Sequence, residues 1–441
     1  MTEKHKLRRI LGVPFGVAVI VGGTVGVGIL RSPGAVAEHL NSFWMIALVW
    51  VLGGVYSLLG ANYMAELASS LPSAGGPYVY ARRAFGDYGG FVVGWGDWLL
   101  NVLSLSYMCI VFGEYSAAVL SNDGASNQTI FAVAILSVIT ALNWIGVRAG
   151  SGTQQITSAV KAIALLGFVA VCFIYSGNGI AHQPNAVAET NSATSTFATL
   201  TAFVLAFQLV LGTYSGWFSS VYFAEEDVDP ARNMSRSLFG GIAVIIVIYV
   251  LVNLALLYVL PLEQLAGSKF AAADAMTVIF GSRSGQIVTT LAILSIVGII
   301  NATVMMTPRT LYAFGRDGLL FDKSTAVNRG GTPHVALAMS VIPALIFVIV
   351  GTFEMLVAIA EFLAVSNTIL LITSLFVLRR KEPDMARPFR AFAYPFAPAL
   401  MLIAAVLIFV GYIISNPKNS LIGFVGLVAT IPIFLLIKKK D

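Results

Sequence analysis

Apolar runs about twenty residues long recur along this chain at nearly regular intervals, and they decide what it can fold into. As helix, a run of that length crosses a hydrocarbon core ~30 Å thick. Twelve runs can be marked, at roughly 11–38, 43–70, 89–120, 129–146, 154–176, 199–226, 236–260, 285–314, 335–352, 355–378, 396–414 and 420–437. The narrowest division is between the ninth and tenth, where only "GTFE" intervenes. Charged residues make up 11% of the chain. An ordinary soluble domain carries about 25%, so a soluble fold of this size would lack the polar surface to cover its core. The expected architecture is an all-α membrane protein of twelve transmembrane helices.

Lysine and arginine orient it, because cytoplasmic loops carry an excess of both. With the N-terminus inside, the segments holding Lys4 to Arg9, Arg82, Arg83, Arg148, Arg232, Arg236, Arg309 to Arg329, Arg379 to Arg390 and Lys438 to Lys440 all face the cytoplasm. Only Lys269, Arg283 and Lys418 fall outside. Both termini are therefore expected in the cytoplasm of a multi-pass protein of the cell (inner) membrane. The net charge of +5 reads as this orientation signal, with the lipid bilayer as partner and no nucleic acid. A cleavable leader ending at Ala35-Val36-Ala37 would explain the first segment and nothing after it.

Cys109 and Cys172 lie inside apolar runs and read as small core residues. The four histidines make no HExxH or related spacing. No metal and no cofactor is expected.

The first run holds four glycines within seven residues, in "VGGTVGVGIL" (21–30). Glycine in a helix interior costs ~1 kcal/mol relative to alanine. Gly22 lies eleven residues past Leu11, ~17 Å deep at 1.5 Å per residue. Irregular backbone at that depth is tolerated only where it is buried in protein or lines a cavity. An inner half-helix ending near Gly22 and Gly23 would present carbonyls, and an outer half beginning near Gly26 to Gly28 would present amides. The sixth run repeats the feature in "LGTYSGWF", with Gly212 and Gly216 at mid-span and the opposite orientation. Two interrupted helices, each opening a set of five spans, are the sign of an inverted repeat around a midplane site. The competing readings are close helix packing, since Gly22 and Gly26 are spaced as GxxxG, and a dinucleotide loop, which lacks its βαβ context.

Several stretches resemble the amino acid, polyamine and organocation (APC) superfamily of transporters: "GVGILRSPG" (26–34), "AELASSLPSAGGPYVYARRAFG" (65–86), "YSGWFSSVYFAEEDVDPARN" (214–233), "PRTLYAFGRDGLL" (308–320) and "LRRKEPDMARPFR" (378–390). The resemblance implies a LeuT-like fold, with one five-helix repeat in 1–176, its inverted partner in 199–378 and two added helices in 396–437. It also implies alternating access and an amino acid substrate. The carboxylate would rest on amides around Gly26, Val27 and Gly28. The amine would rest on carbonyls near Gly22, Gly23 and Tyr214. With Thr24, Gly212, Ser215 and Gly216, these are the expected substrate-binding residues. This chain has Val27 where the family often has serine, and Gly212 where it has an aromatic gate, so either the pocket accepts a larger side chain or Tyr214 or Phe207 gates instead. Trp217 is a further gate candidate.

Lys161 sits in the fifth run, ~10 Å along the helix from Gln154. A charge there faces a cavity or a partner, or snorkels to the interface. The resemblance implies that its ammonium takes the place of sodium beside the first break. Sodium is therefore not expected, while protons and exchange both remain open. Of the other intramembrane carboxylates, Glu66 is expected to be structural and Asp97 solvated at an inner helix end. Glu114 could select a cationic substrate or carry protons. "FAEEDVDPARN" reads as a solvated cytoplasmic loop pairing with nearby arginines. The reading that follows is a sodium-independent carrier of neutral L-amino acids, with no catalytic residue. A cationic amino acid or polyamine carrier is the alternative within the class. A channel or non-transporting receptor is the alternative outside it, and no span carries the polar stripe a channel needs.

Overall fold

The computed structural model describes residues 7–26, 28–120, 125–175, 196–281 and 284–438. These are helical, apart from connecting segments and one isolated β-bridge between Leu11 and Asp227. Ten helices are long and apolar enough to cross a bilayer, or eleven when one bent pair is counted as a single span. The His334–Val350 helix is shorter and apolar.

The bent pair is the first glycine-rich run. Helix α1 (Val13–Thr24) opens on a proline in its first turn, where a missing N–H costs nothing. It ends on a final bond from Val25 N to Val21 O, with Val25 extended. Two glycines followed by β-branched Thr24 and Val25 are poor helix formers, so the helix stops there. Helix α2 (Gly28–His39) begins three residues later, at 47° to α1. Val27, expected to supply an amide, lies outside the described residues.

Helix α3 (Phe43–Ser70) leads to α4 (Pro77–Val119), whose 43 residues would span ~65 Å as one rod. Gly86, at φ +84°, divides it. Residues 77–85 form a separate helix ahead of the span expected over 89–120. Helices α5 (Ala125–Ile145) and α6 (Val147–Tyr175) follow. Helix α7 (Thr196–Tyr214) ends in a turn at 215–218, and the chain continues as a 3₁₀-helix over Ser219–Glu226. The α-helix is therefore interrupted at the second of the two expected glycines. Gly212 belongs to α7, and it is Gly216, at φ +101°, that leaves helical geometry.

Helix α8 (Pro230–Val259) is followed by two short helices, α9 (Leu262–Ala266) and α10 (Ala271–Phe280), between the seventh and eighth expected spans. They pack on α2 so closely that a Cβ on Gly34 would collide with the Ser268 carbonyl oxygen. The chain continues through α11 (Gly285–Arg316), α12 (His334–Val350), α13 (Phe353–Lys381), α14 (Phe396–Ser415), α15 (Pro417–Val428) and α16 (Thr430–Lys438). The main core gathers α1, α2, α3, α7 and α8; a second lies between α4, α5, α11 and α12. The start of the first interrupted run and the end of the second pair directly. Ile10 N and Leu11 N donate to Glu226 O at 3.0 Å, and Val228 N donates to Leu11 O at 2.9 Å.

Candidate substrate site at the helix breaks

The end of α1 frees carbonyls that water cannot reach, and each needs a donor. Lys161 supplies two. Its Nζ lies 3.0 Å from Gly22 O, 2.7 Å from Val25 O and 2.9 Å from Ser295 O of α11. An ammonium has three donors and no acceptor, so the group is saturated. At 2% exposure Lys161 does not snorkel. It ties the first break to α6 and α11. A third carbonyl, Thr24 O, faces Tyr249 of α8, whose hydroxyl lies 3.0 Å from both Thr24 O and Thr213 O. Its single proton serves one of them at a time.

The remaining carbonyl, Gly23 O, faces the second break. A Cβ on Gly216 would stand 2.8 Å from it and 3.2 Å from Thr24 Oγ1. Thr24 Oγ1 is itself buried and, among the described residues, has no hydrogen-bond partner. Nearby, Thr213 Oγ1 donates to Ser32 Oγ at 2.8 Å, and a Cβ on Gly28 would sit 3.2 Å from the Thr213 methyl. A Cβ on Gly26 would collide with Ile299 Cδ1, and one on Gly22 with Gln154 and Ser158. Gly23, Thr24 and Gly216 are thus brought together, with Gly28 beside Thr213 at the end of α7, whereas Gly22 and Gly26 face α6 and α11. Gly212 is not among the close contacts, since a Cβ there meets nothing within 4 Å.

The aromatic candidates pack on α3. Tyr214 Oη donates to Trp50 O at 3.1 Å, Phe207 meets Tyr56 edge-on, and the Trp217 ring lies beside Gly60 and Tyr63. Ser215 closes the last turn of α7, its amide donating to Gly212 O. Glu114 is half-buried, towards the end of α4.

Sequence reading missed a buried polar chain behind the break. Asn143 Nδ2 donates to Asn301 Oδ1, Asn301 Nδ2 donates to Gln154 Oε1, and Ser158 Oγ donates to Ala18 O, at 2.7–2.8 Å. Gln154, Ser158 and Lys161 share one face of α6, a spacing that was readable.

Three buried carboxylates lie on α3, α4 and the 3₁₀-helix. Glu66, expected to be structural, is buried among arginines. It takes two bonds from Arg379 and one from Ala391 N, with Arg387 at 3.1 Å. Asp97 is buried rather than solvated, accepting from Tyr222 Oη at 2.6 Å and from Thr310 Oγ1 at 3.3 Å. Glu226 is buried too, paired with Arg309 at 2.8 Å, whose guanidinium lies over the Phe223 ring. The expected solvated loop therefore pairs with arginines, but its first part is a packed 3₁₀-helix.

The fold defines a multi-pass helical membrane protein. The amino acid permease family model matches residues 14–436, and the chain belongs to that family. It is 27% identical to the serine/threonine exchanger SteT of Bacillus subtilis, over 100% of this chain and 99% of the relative. It is 29% identical to the mouse b(0,+)-type amino acid transporter 1, over 93% and 84% of the two chains. It is 28% identical to the mouse Asc-type amino acid transporter 1, over 99% and 82%. Family and relatives are transporters and exchangers, not enzymes, and amino acid transport is the function of this chain.

Proposed function

We propose that the protein exchanges neutral L-amino acids across the cell membrane by alternating access, without sodium. One juxtaposition carries the reading: the carbonyl end of α1 and the amide end of α2 lie three residues apart, against Gly216 of the second break. Helix ends of opposite polarity suit the ammonium and carboxylate of a zwitterion. Gly23 O and Thr24 Oγ1 are polar groups turned toward the second break. Lys161 already engages carbonyls beside the first break, where the resemblance puts a coupling cation. The relative named as a serine/threonine exchanger favours exchange and a small neutral side chain.

The architecture proposed with this function has twelve spans, His334–Val350 included. Five-helix inverted repeats occupy 1–176 and 199–378, with added helices in 396–437 and both termini cytoplasmic. Uptake into proteoliposomes tests it, across a panel of amino acids and with or without internal substrate. Trans-stimulation by internal neutral amino acid, unaffected by replacing sodium or collapsing a pH gradient, is expected. Uptake that needs sodium, or that internal substrate does not accelerate, would overturn the reading.

A further inference from the structure

The first turns of α8 border a cleft of about 520 Å³ that the transport site does not use. Asp229, Arg232, Ser235 and Arg236 line one side, and Pro388 and Phe389 the other. Phe239 holds that second wall in place, its ring 5.5 Å from Phe389 and 6.4 Å from Phe392. Arg232 stands 4.0 Å from Asp229 and is exposed. Arg236 has no ion pair among the described residues. Arg390, next along from Phe389, is exposed and likewise unpaired among them. The cleft thus gathers an excess of positive charge.

Its setting is apolar. Val247, eleven residues past Arg236, returns to the same face of α8, ~16 Å along, and is 54% exposed. Phe392, Phe396 and Leu400, beyond the other wall, are exposed as well. A cationic pocket that opens onto an exposed apolar helix face matches a molecule with an anionic head and a hydrocarbon tail. We propose that this cleft binds the phosphate of an anionic phospholipid, the acyl chains running up α8 toward Val247. Placing that lipid in the cytoplasmic leaflet rests on the proposed orientation. A lipid seated there would hold α8 to the 388–392 segment. That segment is also docked on α3, through the paired bonds of Asn62 with the Phe392 backbone, both 2.9 Å.

Lipid retention by the purified full-length protein tests this, read by native mass spectrometry after solubilisation from membranes of phosphatidylcholine mixed with phosphatidylglycerol. The wild type is expected to retain phosphatidylglycerol. The Arg232→Gln/Arg236→Gln variant is expected to lose it about thirtyfold, the weight of two arginines against an anionic surface. A control removing the same charge elsewhere, Lys323→Gln/Arg380→Gln, is expected to retain it. Equal retention of phosphatidylcholine, or unchanged retention in the double variant, would overturn the proposal. So would displacement of the lipid by inorganic phosphate alone, which would make the cleft a site for free phosphate. Amino acid exchange in pure phosphatidylcholine vesicles, expected at wild-type rate in the double variant, reports separately on the transport reading and on folding.

Discussion

Lys161 Nζ lies 2.7 Å from the carbonyl oxygen of Val25, across 136 residues of sequence. With Gly22 O and Ser295 O as its other partners, it holds open backbone that would otherwise be unsatisfied inside the bilayer. Each buried acceptor left without a donor costs about 1–3 kcal/mol. Lys161→Ala is therefore expected to slow exchange by at least ~tenfold, while the protein still inserts and elutes as a single species. Lys161→Arg is expected to fail too, because a planar fork cannot converge on three carbonyls as a compact ammonium does. Exchange kinetics in proteoliposomes give the answer. Wild-type rates in either variant would remove Lys161 from the mechanism.

Gly216 and Gly212 make a matched pair for testing where the second break lies. At Gly216 an alanine would meet a left-handed backbone, at roughly 1–2 kcal/mol, and a rigid carbonyl 2.8 Å away. At Gly212 it would enter α7 facing open space, where replacing glycine gains ~1 kcal/mol. Gly216→Ala is expected to abolish exchange. Gly212→Ala is expected to keep it and raise the thermal midpoint slightly. The reverse ranking would return the break to Gly212.

Gly26 gives a graded test of the first break. An added methyl would strike only the end of the Ile299 side chain, which can rotate, so Gly26→Ala is expected to weaken substrate binding by no more than about tenfold. Gly26→Leu overpacks the site, typically ~1–3 kcal/mol or more, and is expected to abolish binding. Ile299→Ala should recover part of the Gly26→Ala loss if the two groups couple. Equilibrium binding of labelled amino acid measures all three, and wild-type affinity in Gly26→Leu would rule out a site at this backbone.

These residues also show what could be read before any coordinates. The first break was legible, because four glycines so close together weaken a helix exactly where the bilayer most demands one, and Lys161 pointed at it from the right depth. In the second, two glycines looked equivalent and the sequence did not say which one ends the helix. Only the positive φ of Gly216 separates them, and a dihedral leaves no trace in composition. Asp97 and Glu226 were given to solvent because each lies near a helix end. What buries them are Tyr222 and Arg309, 125 and 83 residues away, and such pairings are set by packing alone. Helices α9 and α10 escaped notice because five and ten residues make no run of spanning length.

The Glu226–Arg309 pair is the last case, and it separates a structural contact from a transport contact. Both side chains are almost fully buried, at 0% and 3% exposure. They join the 3₁₀-helix after the second break to the C-terminal part of α11. Breaking a buried pair on one side strands the other charge, at about 3–5 kcal/mol. Removing both and filling the space is often neutral. Glu226→Gln is expected to lower the thermal midpoint sharply and to reduce the amount of folded protein. Glu226→Leu/Arg309→Met is expected to regain most of that stability. If the pair only packs this end of the bundle, exchange returns with stability in the double variant. If its breaking and remaking accompanies the opening of that end, the double variant is stable but exchanges slowly, with substrate affinity unchanged. Thermal midpoints and exchange rates on the same three proteins distinguish the outcomes, and a Glu226→Gln protein as stable as the wild type would mean the pair contributes to neither.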